Sequence, residues 1–223
     1  MIVSESWDRL QRMTSGSTAP SDTGRGRPLG FERDQLVDAL MRAFWQLGWF
    51  GASYPKLEQH TGVARSSMGN TIGSKSELLA AALDRYLQVI DERLIGPLRE
   101  GGHGVADVRV FYRNLRDGKR TEPGRWGCLM AITMTELGTE DAAAARRTLE
   151  YRDRLTTAFR AALQRGEARG ELAPGAAILL PATLTSTAIG LNVAARAGAT
   201  TAELDTIVAG VNRLLDLVQV PTA

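Results

Sequence analysis

The sequence has one cysteine, two histidines and almost no surplus of charge, and each shortage removes a class of function. Cys128 has no second cysteine in the chain to pair with, so a reducing, cytoplasmic compartment is the expectation. His60 and His103 stand apart from any Cys or carboxylate at ligand spacing, which argues against a metal centre, and no cofactor is expected. No nucleophile elbow, phosphate-cradling glycine loop or His-Glu metal motif accompanies the scattered Ser, His and Asp residues, so no enzyme activity is expected. A formal net charge of +2 excludes a basic coat over the whole surface, and any basic signal has to be local. The first ten residues carry Glu5 and Asp8 and lack the apolar core of a secretory leader. The longest uncharged stretch, residues 174–195, is broken by Pro181 and holds Thr183, Thr185, Ser186, Thr187 and Asn192. It reads as a buried or interface helix rather than a membrane span.

Alternating β-branched runs are missing as well, and the apolar residues recur at helical spacing almost throughout, so the fold class is all-α. Residues 1–24, rich in Ser, Thr, Gly and Asp, read as a disordered tail. A first helix is expected from about Glu32 to Gly48, with Leu36, Val37, Leu40, Phe44 and Leu47 on one face. Ser53 is a plausible cap for a short second helix ending near His60, and Thr61-Gly62 turns the chain into a third, about Arg65 to Ile72. Ser74-Lys75-Ser76-Glu77 is a capping box that launches a long fourth helix, which Gly96-Pro97 should bend or end. Further helices are expected from Gly104 to about Arg116, Arg125 to Leu137, Asp141 to Arg169, Gly175 to Ala197 and Ala202 to Val218. The last has a second capping box, Thr200 to Glu203. The Arg125–Leu137 segment is apolar on most sides and should therefore be central. In the last helix Leu204, Val208, Val211, Leu215 and Val218 recur at alternating spacings of 4 and 3, the seam of a helix packed along its length.

The local basic signal lies near the N-terminus: between Arg25 and Lys75 there are seven basic residues against four acidic ones. A helix, a Gly-containing turn and a second helix can set that second helix in the major groove of DNA. Its polar residues, Arg65, Ser66, Ser67, Asn70 and Thr71, have the reach for base edges and phosphate oxygens, and no acid interrupts them. Lys75 sits at a helix start, where its charge adds to free amides in holding a phosphate, and the Ser53 amide end offers a similar site. Arg25 and Arg27, beside Pro28, form an arm that could reach a neighbouring groove or backbone. The alternative for each is bland: a solvated helix face for the first set, structural capping for Ser53, a disordered arm for the arginines.

Gly26-Arg27-Pro28, Phe44-Trp45-Gln46-Leu47-Gly48, Thr61-Gly62-Val63-Ala64-Arg65-Ser66-Ser67 and Gly73-Ser74-Lys75-Ser76-Glu77-Leu78 together resemble the N-terminal domain of the tetracycline-repressor (TetR/AcrR) family. Gly127-Cys128-Leu129 and Ala197-Gly198-Ala199 are similar to one type of C-terminal half in that family. The resemblance implies about nine helices, with a helix-turn-helix DNA-binding domain at 25–75 and a ligand-binding and dimerisation domain at 76–223. It also implies a homodimeric repressor of a pseudo-palindromic operator, released by a small-molecule effector. The last two helices would pair with their mates, through Leu184, Ala188 and Leu191 in the first and Leu204, Val208, Val211 and Leu215 in the second. The family commonly has an aromatic, usually Tyr, where this chain has Gly69, and a Ser or Thr cap where it has Ala64. Gly69 is expected to cost the recognition helix about 1 kcal/mol relative to Ala and to remove a phosphate or base contact, and Ala64 to lose about another 1 kcal/mol of capping.

Tyr86, Ile90, Phe111, Tyr112, Trp126, Met130 and Met134 fall on the helices that would enclose a cavity. They read either as core or as the lining for a largely hydrophobic or aromatic effector. A different class of function stays open beside the regulator: a helical binding protein or enzyme on the same scaffold, with Gly69 as the trace of lost operator reading.

Overall fold

The computed structural model describes residues 29–221, with side chains from Arg33 onward. The expected tail, Arg25 and Arg27 therefore lie outside the described residues. Among those described, nine helices and one isolated helical turn account for nearly all regular structure, as the all-α reading required.

Helix α1 (Leu29–Gly51) is interrupted at Gly48, whose φ of 71° takes it out of the helix. A side chain there would collide with the Glu136 carboxylate, so the break is also a point of close approach. Short helices α2 (Tyr54–Thr61) and α3 (Arg65–Thr71) follow. Helix α4 begins at Lys75 behind the Ser74/Glu77 capping box. Of the two outcomes expected at Gly96-Pro97, a bend or an end, it does not end there. Lys75–Ile90 passes through a π-helical turn, Asp91–Ile95, into Gly96–Glu100. The wider turn, closed by the Gly96 amide on the Asp91 carbonyl, makes room for a proline ring that would strike the preceding turn of a regular helix.

Helix α5 (Val105–Gly118) leads to a single turn, Glu122–Arg125, and then to α6 (Leu129–Leu137). The expected helix from Arg125 thus starts four residues late. Gly127, at φ 86°, turns the chain where a Cβ would come within 2.8 Å of the Asn192 carbonyl oxygen. Helices α7 (Ala142–Ala168), α8 (Ala176–Arg196) and α9 (Thr201–Val218) complete the chain, the last behind the second capping box. Helix α7 runs through the middle, against α8, α6, α4 and α5; α1 packs on α4 and α6, and α9 on α5 and α8. One continuous apolar core extends from Leu36 to Leu215 and includes α6 on most of its circumference.

The seven residues expected to face a second subunit do not. Leu184, Ala188, Leu191, Leu204, Val208, Val211 and Leu215 are all buried against the chain's own helices. A 4-3 repeat states which side of a helix is covered, but a neighbour in the same chain covers it as well as one from another. The opposite faces carry the uncovered apolar side chains: Ile178, Leu179 and Val193 on α8, and Leu217 on α9. Among the described residues, α8 is the one helix long and apolar enough to cross a membrane by length and composition, and half of its most apolar window is buried in this core.

Candidate nucleic-acid interface

Local chemistry fixes the α2–α3 angle. Ser53 does not cap α2 with its side chain, correcting the sequence expectation; Pro55 occupies the first turn, where a missing amide costs least. At the other end Thr61 Oγ1 donates to the Leu57 carbonyl at 2.8 Å and accepts the Val63 amide at 3.1 Å. Gly62, left-handed at φ 69°, returns its amide to Glu58 O. The missing cap at Ala64 is supplied from across the turn: the Glu58 carboxylate accepts the Arg65 amide at 2.6 Å. An anion at that helix start also meets the positive end of its dipole. The capping loss inferred from Ala64 is thereby offset by a residue that sequence reasoning did not consider.

Helix α3 is anchored by one buried side chain, Met68. Around it the five expected contact residues, Arg65, Ser66, Ser67, Asn70 and Thr71, are all exposed. Gly69 is exposed with them, and an added Cβ would meet nothing within 4 Å. Neither packing nor backbone geometry calls for glycine there. The Arg65 guanidinium lies over the Tyr54 ring, 4.1 Å from its centre, which holds the cation at the front of the helix. Tyr54 was missed because nothing in its sequence position, next to Ser53 and Pro55, links it to Arg65.

Lys75 is placed differently from expectation. Its ammonium donates to the Trp49 carbonyl at 2.8 Å and sits 4.1 Å from the centre of the Trp49 ring. Partial burial lowers its pKa, against an opposing pull from Glu136. Lys75 therefore ties the start of α4 to the end of α1, and a phosphate would compete with these partners. Ser53 is exposed in the α1–α2 connection.

Behind this surface, the end of α1 is bolted to the rest of the chain. Trp45 Nε1 donates to the Gly127 carbonyl at 3.2 Å, and the Trp45 ring meets Tyr86 and Trp126 edge-on at 5.2 and 5.6 Å. The Trp49 amide donates to Glu136 at 2.5 Å. Arg196, at the end of α8, donates to the Trp45, Gln46 and Trp126 carbonyls. Two ion pairs continue the link, Arg85 with Asp38 and Arg147 with Asp84, both at 2.6 Å.

The candidate effector residues are brought together, but against one another. Phe111 and Tyr112 pack on Phe159 with ring centres 4.9 and 5.8 Å away, and the Tyr112 hydroxyl donates to Leu184 O. Burial raises the Tyr112 and Tyr86 pKa values, keeping both phenols neutral. Met130 is fully buried, whereas Ile90, Trp126 and Met134 are only partly covered. Cavities of about 700, 800, 360 and 230 Å³ occur between other residues, and none of the seven lines any of them. Among the described residues, no group of three or more His, Cys, Asp or Glu side chains is arranged to hold a metal ion.

No family model matches the chain. Among curated proteins it is 28% identical over 198 residues to the HTH-type transcriptional repressor ComR of Escherichia coli, covering 86% of this chain and 92% of that protein. Among solved structures it superposes on a TetR transcriptional regulator from Chloroflexus aurantiacus with a TM-score of 0.77 and 24% identity, over 88% of this chain and all of that one. It also superposes on the TetR-family regulator CifR in complex with 26-bp double-strand operator DNA, with a TM-score of 0.71 and 22% identity, over 90% of this chain and all of that one.

Proposed function

Starting from the fold of the TetR-family transcriptional regulators, which this chain has, we propose that it is a cytoplasmic, DNA-binding repressor that acts as a homodimer and responds to a small molecule. The observation that carries the reading is the α3 surface: five side chains suited to base edges and phosphates, all exposed, on a helix whose one buried side chain is Met68. A solvated face needs no such arrangement of turn, cross-turn cap and stacked arginine behind it. Two copies related by a two-fold axis would present two α3 helices to successive major-groove half-sites of a pseudo-palindrome. The exposed apolar faces of α8 and α9 support the pairing. Ile178, Leu179, Val193 and Leu217 are uncovered there, and Gly190 and Gly210 leave room for close approach of another helix.

The joint supports a response to an effector. Because α4 starts at Lys75 beside the reading head and runs 26 residues into the body, a ligand that shifts its packing would misplace α3 relative to its mate. A largely hydrophobic or aromatic effector at Tyr86, Phe111, Tyr112 and Met130 would have to part rings that now touch. It would therefore select a more open state than the one described here. Selection of bound duplexes from random DNA tests the proposal. A two-fold-symmetric consensus, bound by a dimer and weakened by Arg65→Ala, is the expected result. Recovery of no common sequence would contradict it.

A further inference from the structure

Lys119 is the one charged residue among those described that is buried, at 7% exposure. Its ammonium has only neutral partners, the Asn192 side-chain oxygen at 2.5 Å and the Gly127 carbonyl at 3.3 Å. An ion taken out of water without a counter-charge is a standing penalty that structures relieve by pairing it. The missing counter-charge has a place to sit. Lys119 lines a cavity of about 360 Å³ together with Arg116, Arg120 and Arg125, closed on the other side by Ala195, Gly198, Ala199 and the start of α9 at Thr200 and Thr201. Four cations and no carboxylate line it. The acids nearby are already engaged: Asp205 with Arg116 at 2.5 Å, Asp117 with Arg116 at 2.9 Å, and Glu203 with the Thr200 amide at 2.7 Å. Arg120 reaches Asp117 only at 3.8 Å and is 63% exposed.

We propose that this cavity is a binding site for a small molecule carrying a doubly charged oxyanion group, a phosphate monoester or a pair of carboxylates. Arginine forks and an ammonium suit such groups. The volume admits a small metabolite, not a polymer. The site is wired to the reading head, because the Gly127 carbonyl that accepts from Lys119 also accepts from Trp45 Nε1 of α1. An anion that draws Lys119 away from Gly127 changes the bond that orients the end of α1. The site is chemically distinct from the aromatic core and stands whether or not the chain reads DNA.

Calorimetry on the full chain tests it, with phenyl phosphate and succinate as separate probes and sodium chloride at equal ionic strength as reference. At least one probe should bind saturably at one site per chain, and which one does so identifies the head group. Arg125→Ala and Arg120→Ala, both on exposed side chains, should each weaken binding about tenfold or more, as expected for losing a charge-assisted hydrogen bond. Saturation should also shift tryptophan emission in the native chain, and more than in Trp45→Phe, where only Trp126 next to Arg125 is left to report the site. Heats that match chloride for both probes, or arginine variants that bind as the native chain does, overturn the site; emission unchanged at saturation overturns the wiring. Duplex binding is measured separately, so a chain that takes the anion but no DNA supports the site and counts only against the regulator reading.

Discussion

The proposed reading helix and the joint that carries it are held in opposite ways. Helix α3 has seven residues, one buried side chain and a cap borrowed from Glu58. The end of α1 is fixed by Trp45, Trp49 and Arg196 through hydrogen bonds to three separate parts of the body. On the proposed function, a head oriented firmly by its base and held lightly at its tip would transmit a shift of the body while its contact face adapts to a groove.

Removing the one buried side chain of α3 should break this contrast most severely. Met68→Ala is expected to cost about 2–5 kcal/mol, the range for emptying a packed core position. Hydrogen exchange should show the loss concentrated in α2 and α3, with α7 to α9 protected. Uniform loss across the chain would mean that the tip is no more weakly held than the joint.

The joint side is sharpened by Lys119, whose pKa is lowered to about 8, by burial first and against an opposing pull from Cys128. Just past the end of α5, it has Arg116 of that helix and Arg120 and Arg125 of the following turn around the same cavity, Cys128 close by, and the neutral Asn192 from α8. Between pH 8 and its ordinary value of 10.5 the unfolded chain holds this proton more tightly than the folded one, so stability should rise with pH across that window. The gain is on the order of 3 kcal/mol. Denaturant titrations at pH 7.5 and 10 should show the rise in the native chain and its loss in Lys119→Met. A native chain whose stability falls over that interval, with Lys119→Met behaving alike, would contradict the burial of an unpaired ammonium.

A smaller effect is expected at the borrowed cap. Glu58→Ala should lower stability by about 1 kcal/mol, as losing an N-cap does elsewhere, and should reduce duplex affinity through disorder of α3 rather than through lost contacts. The smallest effect has the opposite sign. Gly69→Ala has open space to occupy and a helical backbone to stiffen, so a gain of up to about 1 kcal/mol is expected in thermal or denaturant unfolding. Destabilisation there would show that glycine serves a contact absent from this arrangement.

Much of this was legible in the sequence because it is encoded locally. Both capping boxes, the turn at Thr61-Gly62 and the accessible set from Arg65 to Thr71 lie where spacing placed them. What escaped depends on neighbours distant in sequence. Glu58 and Arg65 are seven residues apart across a turn, and periodicity within either helix does not reveal their bond. The late start of α6 follows from the approach of Gly127 to α8, some 65 residues away in sequence. The seam of α9 was visible, but the direction in which it faces was not, since α5 and α8 of the same chain cover it. The basic cavity combines residues 116–125 with residues 195–204, and neither segment alone stands out in a chain of almost balanced charge.

The most direct measurement is duplex binding by fluorescence anisotropy over a series of salt concentrations, using the sequence recovered by selection and a scrambled control. Affinity for the selected duplex should exceed that for the control. Arg65→Ala should weaken binding and reduce the slope of log affinity against log salt by about one, the signature of one lost phosphate contact. Equal affinity for both duplexes at low salt, or a slope that Arg65→Ala leaves untouched, would contradict the account.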